Sequence, residues 1–103
     1  MSLEITILGA DGSPEHVLPV GVNTHHQFVE CVRGKPNSML ARMEDYYGDA
    51  QFNVEELSTV KAEIDTLLDE RPSDEKLLTF LTAFKEIVDL ARSLNQPIEV
   101  LAD

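Results

Sequence analysis

His25, His26, Glu30 and Cys31 are the residues whose types and spacing come nearest to a reactive site. On a helix, His26 and Glu30 at i, i+4 share a face and could supply half of a metal site. Adjacent His25 and His26 point about 100° apart and do not make a shared site alone. A catalytic zinc needs three protein ligands and an open position. His16 is the one further histidine and Cys31 the one cysteine. The plainer alternative is a pair of polar residues at a helix end, facing water. Cys31 near a histidine also has the parts of a thiol nucleophile, which requires a positioned base and an activating environment. Its neighbours Phe28, Val29 and Val32 are apolar, so it reads instead as a small buried hydrophobe. This cluster gives one functional reading, a small metal-binding protein or enzyme using His25, His26 and Glu30. No motif implies a cofactor.

A second constellation is the run Glu44-Asp45-Tyr46-Tyr47-Gly48-Asp49, which mixes acids with both tyrosines of the chain. Tyrosine offers a large contact area with a polar tip and is favoured at protein interfaces. Acids beside it can meet Lys or Arg of a partner. The alternative is that Tyr47 packs on the core while the acids solvate a helix end. Asp45, Asp49 and Asn53 lie four apart, but the D-x-D-x-D-G pattern of a calcium loop, with its terminal Glu, is absent. No G-x-G-x-x-G, P-loop, G-x-S-x-G or H-E-x-x-H occurs either.

Charge singles out the same region. The chain has 103 residues and a formal charge of −11. Residues 44–75 hold eleven acids against Lys61 and Arg71, a net of −9, whereas 1–43 and 76–103 carry −1 each. Such a balance argues against unaided binding to nucleic acid or an anionic membrane, since both need a positive surface. It fits a basic protein partner. Asp45, Tyr46, Tyr47, Asp49, Glu55 and Glu63 are the candidate binding residues on this reading.

The elements that must hold these residues follow from periodicity. Residues 1–103 read as a single domain. Leu3–Leu8 alternates apolar and polar residues as a half-buried strand, and Gly9–Pro14 is dense in turn formers. Glu15–Val20 gives a weaker strand that Pro19 confines to an edge, so 3–20 reads as a β-hairpin. Thr24 is a candidate N-cap for a helix over 25–33, and Asn37 or Ser38 for a second over 39–47, with Leu40, Met43 and Tyr47 inward. Asp49–Phe52 reads as a link, with Phe52 packing back as an apolar staple. Asn53 and Glu56 have the spacing of a capping box, opening a helix to about Asp69 with Leu57, Val60, Ile64, Leu67 and Leu68 as its stripe.

Arg71-Pro72 breaks that helix, and Ser73 is placed to cap the next. Asp74–Leu94 has no Gly or Pro, and Leu77, Leu81, Phe84, Val88 and Ala91 form one row at spacings of three and four. Leu78, Phe80, Ile87 and Leu94 widen the row, as for a central helix contacted on more than one side. Ile98–Leu101 reads as a final strand able to join the hairpin. The expected fold is therefore α+β. An N-terminal β-hairpin and a C-terminal strand form a small sheet, packed on a four-helix region with a long central helix.

The run ARMEDYYGDAQFNVEELSTVKAEIDTLLD, from Ala41 to Asp69, resembles small bacterial proteins of uncharacterised families, as does the closing helix followed by PIEVLAD. The overall build is similar to small acidic immunity proteins of bacterial toxin systems, which bind and block a secreted toxin. The resemblance lies in pattern across most of the chain and assigns no residue a role. It implies a non-enzymatic, toxin-neutralising protein whose partner is basic. A single cysteine, no apolar run near the roughly 20 residues of a membrane span, and an opening without a basic n-region all point to a cytoplasmic protein. Homodimerisation through a helix face is the third reading.

Overall fold

Leu3, Ile5 and Ile7 are at most 1% exposed, and this alternating row sets the floor of the molecule. The structure is a computed structural model that describes residues 3–9, 11–35, 38–46, 48–70 and 72–102. The row belongs to strand β1, Leu3–Leu8, which pairs antiparallel with β2, Pro14–Val20, as the expected hairpin. Between them Gly12 takes φ +83°, a left-handed conformation that glycine adopts without a Cβ penalty. Asp11 accepts from both the N–H and the hydroxyl of Ser13, closing the turn.

The other edge of β1 pairs antiparallel with β4, Ile98–Ala102, placing Ile5 opposite Val100 and Ile7 opposite Ile98. A further strand, β3, Ala50–Phe52, adds to β4 and completes a four-stranded sheet in the order β2-β1-β4-β3. The expected link over 49–52 is thus a strand. Three residues are too few to show a period of two, and pairing with β4, 46 or more residues away in sequence, is what defines them. Phe52 is fully buried in the core from this strand.

Helices cover one face of the sheet. Helix α1, Val22–Arg33, begins three residues earlier than expected, with Gly21 rather than Thr24 at its N-cap. Helix α2 is Leu57–Asp69 and helix α3 is Glu75–Leu94, capped by the Asp74 carboxylate on the Leu77 N–H rather than by Ser73. Two ion pairs join α2 to α3, Lys61 to Asp89 at 2.9 Å and Lys85 to Asp65 at 2.6 Å. As one position rises the other falls, so the helices run antiparallel. The full central row of α3, from Leu77 to Ala91, is buried, and its Phe80 and Phe84 rings meet Phe28 of α1. Phe28 and Phe80 meet edge to face at 5.5 Å, a favoured aromatic geometry.

The four-helix expectation is corrected: the described residues contain three α-helices. The segment expected as a helix over 39–47 is a 3-10 helix, Met39–Met43, and 54–56 is a second 3-10 turn leading into α2. A helix of two turns is a poor nucleus in isolation. Here the chain tightens to i→i+3 bonds, Glu44 N–H to the Ala41 carbonyl at 3.1 Å, and then turns toward β3. Leu40 and Met43 face inward as expected, each 1% exposed, while the reading for Tyr47 lies outside the described residues.

Candidate interaction surface

The acids of 44–75 divide into those that build the fold and those that face water. Glu63, half-buried on α2, belongs to the first group. Its carboxylate accepts the Ser38 hydroxyl at 2.6 Å and the N–H groups of Met39 and Leu40, both at 3.1 Å. These are donors that a helix start leaves unpaired, so Glu63 caps the 3-10 helix from another element. Beside it lies a hollow of about 130 Å³ lined by Val32, Leu40, Thr66 and Leu67 with Lys35. Lys35 pairs with Glu70, so both charged groups at this hollow are engaged within the chain.

Glu56 is held by Arg42, whose two terminal nitrogens donate to its two oxygens at 2.9 and 2.5 Å. It also accepts the Asn53 N–H at 2.9 Å, the reciprocal half of the expected capping box. The Arg42 contact, then the Asn53 N–H, holds the Glu56 carboxyl down at about 2. Arg42 lies over the Phe52 ring, 5.6 Å from its centre, and donates to the Gln51 carbonyl at 3.0 Å. One guanidinium thereby joins the 3-10 helix, β3 and the start of α2.

The six candidate binding residues are placed as follows. Tyr46 is half-buried; its hydroxyl donates to the Val20 carbonyl at 3.1 Å and its ring stands edge-on to His25 at 5.1 Å. Asp49 is exposed and accepts the Ala102 N–H at 2.8 Å, pinning the end of β4. Asp45 is exposed and makes a contact of its own. Tyr47 lies outside the described residues. Glu63 caps the 3-10 helix, and Glu55 is exposed at the first turn before α2. Four of them therefore have partners, and those of Tyr46, Asp49 and Glu63 lie on three separate elements. The exposed side chains of Glu44, Glu55, Glu75 and Glu86, by contrast, hold no hydrogen bond or ion pair among the described residues. Of these, sequence reasoning chose Glu55 alone, because nothing local distinguishes an acid that caps a distant element from one that faces water.

The histidines separate. His25 is 5% exposed, and its Nε2–H donates to the Met43 carbonyl at 2.5 Å. It was expected at a helix end facing water. It lies on the buried stripe of Phe28, Val29 and Val32, at i+3, i+4 and i+7, one turn inside α1. His26 does face water, 3.8 Å from Glu30. Among the described residues no three His, Cys, Asp or Glu side chains lie close enough to hold a metal ion. Burial, and then the nearby Glu70 carboxylate, raise the Cys31 thiol above its ordinary value, which keeps it protonated.

Cations are used up within the chain. Arg33, Lys35, Arg42, Lys61 and Lys85, five of its eight Lys and Arg, each pair with an acid. Among the described residues no helix is long and apolar enough to cross a membrane. No family model, no curated protein and no solved structure matches this chain.

Proposed function

We propose that this chain is a non-enzymatic acidic binding module that docks on a basic protein, and that its most specific form is a bacterial toxin-neutralising protein of the immunity type, acting in the cytoplasm. One observation carries the reading: five internal ion pairs tie up most of the cations, while the exposed acids Glu44, Glu55 and Glu75 hold no ion pair among the described residues. A field of one sign steers an oppositely charged partner and raises its association rate more than its final affinity. The toxin-neutralising part rests on the resemblance in build and on this charge.

The test is affinity capture from the native host at low and high salt, comparing the wild-type chain with a Glu44→Lys, Glu55→Lys, Glu75→Lys variant. These exposed side chains hold no hydrogen bond or ion pair among the described residues, and circular dichroism of the variant checks that it folds. A basic protein retained at low salt, released at high salt and lost by the variant is the expected result. Equal capture by both chains at both salts overturns the proposal. A captured toxin whose activity is unchanged on mixing overturns its neutralising part.

A further inference from the structure

Among the described residues the sheet ends on β2 as an open edge, and α3 stands beside that edge as an apolar wall. Val17 and Leu18 of β2 and Ala83, Ile87 and Leu90 of α3 line a groove of about 260 Å³, with Glu86 at its rim. Ala83, Ile87, Leu90 and Leu94 are spaced by four, three and four, a second apolar row on α3 distinct from the buried one. Only three large apolar side chains are exposed among the described residues. Two of them, Val17 at 46% and Leu94 at 44%, belong to this edge and this row.

The backbone of β2 is available too. Pro19 pairs with Glu4 although it has no N–H, so its nitrogen points away from β1. Val17, two residues back, shares that direction, and its N–H and C=O face outward with the Pro19 carbonyl. Prolines at 14 and 19 shorten the edge, which limits indiscriminate pairing, but they leave Val17 open between them.

We infer that this groove receives an extended peptide segment of a partner, added to β2 as a fifth strand, in which apolar residues alternate with Lys or Arg. Alternate side chains of an added strand face opposite ways. One set drops onto Ala83, Ile87 and Leu90. The basic set faces the other side of the sheet, the side of Glu4, which pairs with Pro19. Charge decides the occupant. No Lys or Arg lines the groove, and the chain carries −11 overall. The β2 strand of a second copy brings Glu15 and no Lys or Arg, so it offers this acidic chain no positive charge. The inference uses none of Glu44, Glu55 and Glu75 and stands or falls separately from the reading above.

The test uses the full chain and a synthetic peptide of roughly seven residues, a typical strand length, alternating Val and Lys. Its counterpart has Glu for Lys. Backbone amide NMR is expected to show slowed exchange at Val17 and shifts at Ala83, Ile87 and Leu90 with the Lys peptide, and no response to the Glu peptide. The exposed rim variant Glu86→Lys should weaken binding by about threefold, since it reverses one surface charge beside the groove. The Glu44, Glu55, Glu75 variant should bind the peptide nearly as well as wild type. Shifts confined to 44–75 with Val17 silent overturn the inference. So does a Val17 amide already protected in a peptide-free chain of doubled mass, which would show a second copy on the edge.

Discussion

Arg42 and Glu56 face each other fork to fork, both carboxylate oxygens taken by one guanidinium at 2.9 and 2.5 Å. The pairing sets a pH dependence. The Glu56 carboxyl is lowered from 4.5 to about 2 in the folded chain. A depressed folded value contributes stability above the unfolded one and loses it as pH falls through the folded one. Glu56→Gln should therefore lie below wild type in melting temperature at neutral pH, with the gap closing between pH 4.5 and 2. Thermal melts at both ends of that window check it. A gap of constant size would mean that the contact contributes nothing through ionisation.

Glu63 tests whether an acid can be structural in a region expected to be an interface. Removing its three hydrogen bonds by Glu63→Ala should cost about 1–2 kcal/mol, the range for a lost charged cap. Glu63→Gln keeps one acceptor oxygen and should lose less. Urea titration of both variants decides. An Ala variant as stable as wild type would show that the 3-10 helix stands without it.

The two adjacent histidines should behave oppositely. His25→Ala leaves a cavity and an unpaired Met43 carbonyl, and should destabilise by about 2–4 kcal/mol. His26→Ala, at a site facing water, should stay within about 0.5 kcal/mol of wild type. Denaturant midpoints for the pair measure this. Equal losses would contradict the placement of α1 described above.

Asn95 ends α3 at φ 56°, ψ 44°, the left-handed conformation of a helix stop. Asn95→Gly should hold or slightly raise stability, whereas Asn95→Ala should lose about 1 kcal/mol to the crowded Cβ. A thermal melt in which Ala outperforms Gly would count against that backbone.

Much of the scaffold was legible in the sequence wherever a period ran long enough. The row from Leu77 to Ala91 is buried as its spacing requires, and β1 occupies the six residues whose alternation announced it. The short final strand Ile98–Ala102 was legible, but two other short elements were not. Ala50–Phe52 became a strand, and 39–43 a 3-10 helix, through contacts with β4 and Glu63 that no local pattern encodes. His25 was misplaced because it was judged by its polarity and its place at the expected helix end, whereas its spacing to Phe28, Val29 and Val32 puts it on the buried stripe. The candidate surface shows the same limit. Its total charge can be counted from the residues, but whether Asp49 ties down Ala102 or waits for a partner depends on the folded chain.

β1 and β4 fill the two inner places of the sheet, and 93 or so residues separate Thr6 from the Glu99 carbonyl its hydroxyl meets at 2.9 Å. During synthesis the hairpin emerges from the ribosome long before the strand that joins it to β3. The slow event in folding is then the closure of that long loop. Until it happens, the nascent chain presents an unpaired β1 flank that a chaperone can hold and a neighbouring chain can misuse.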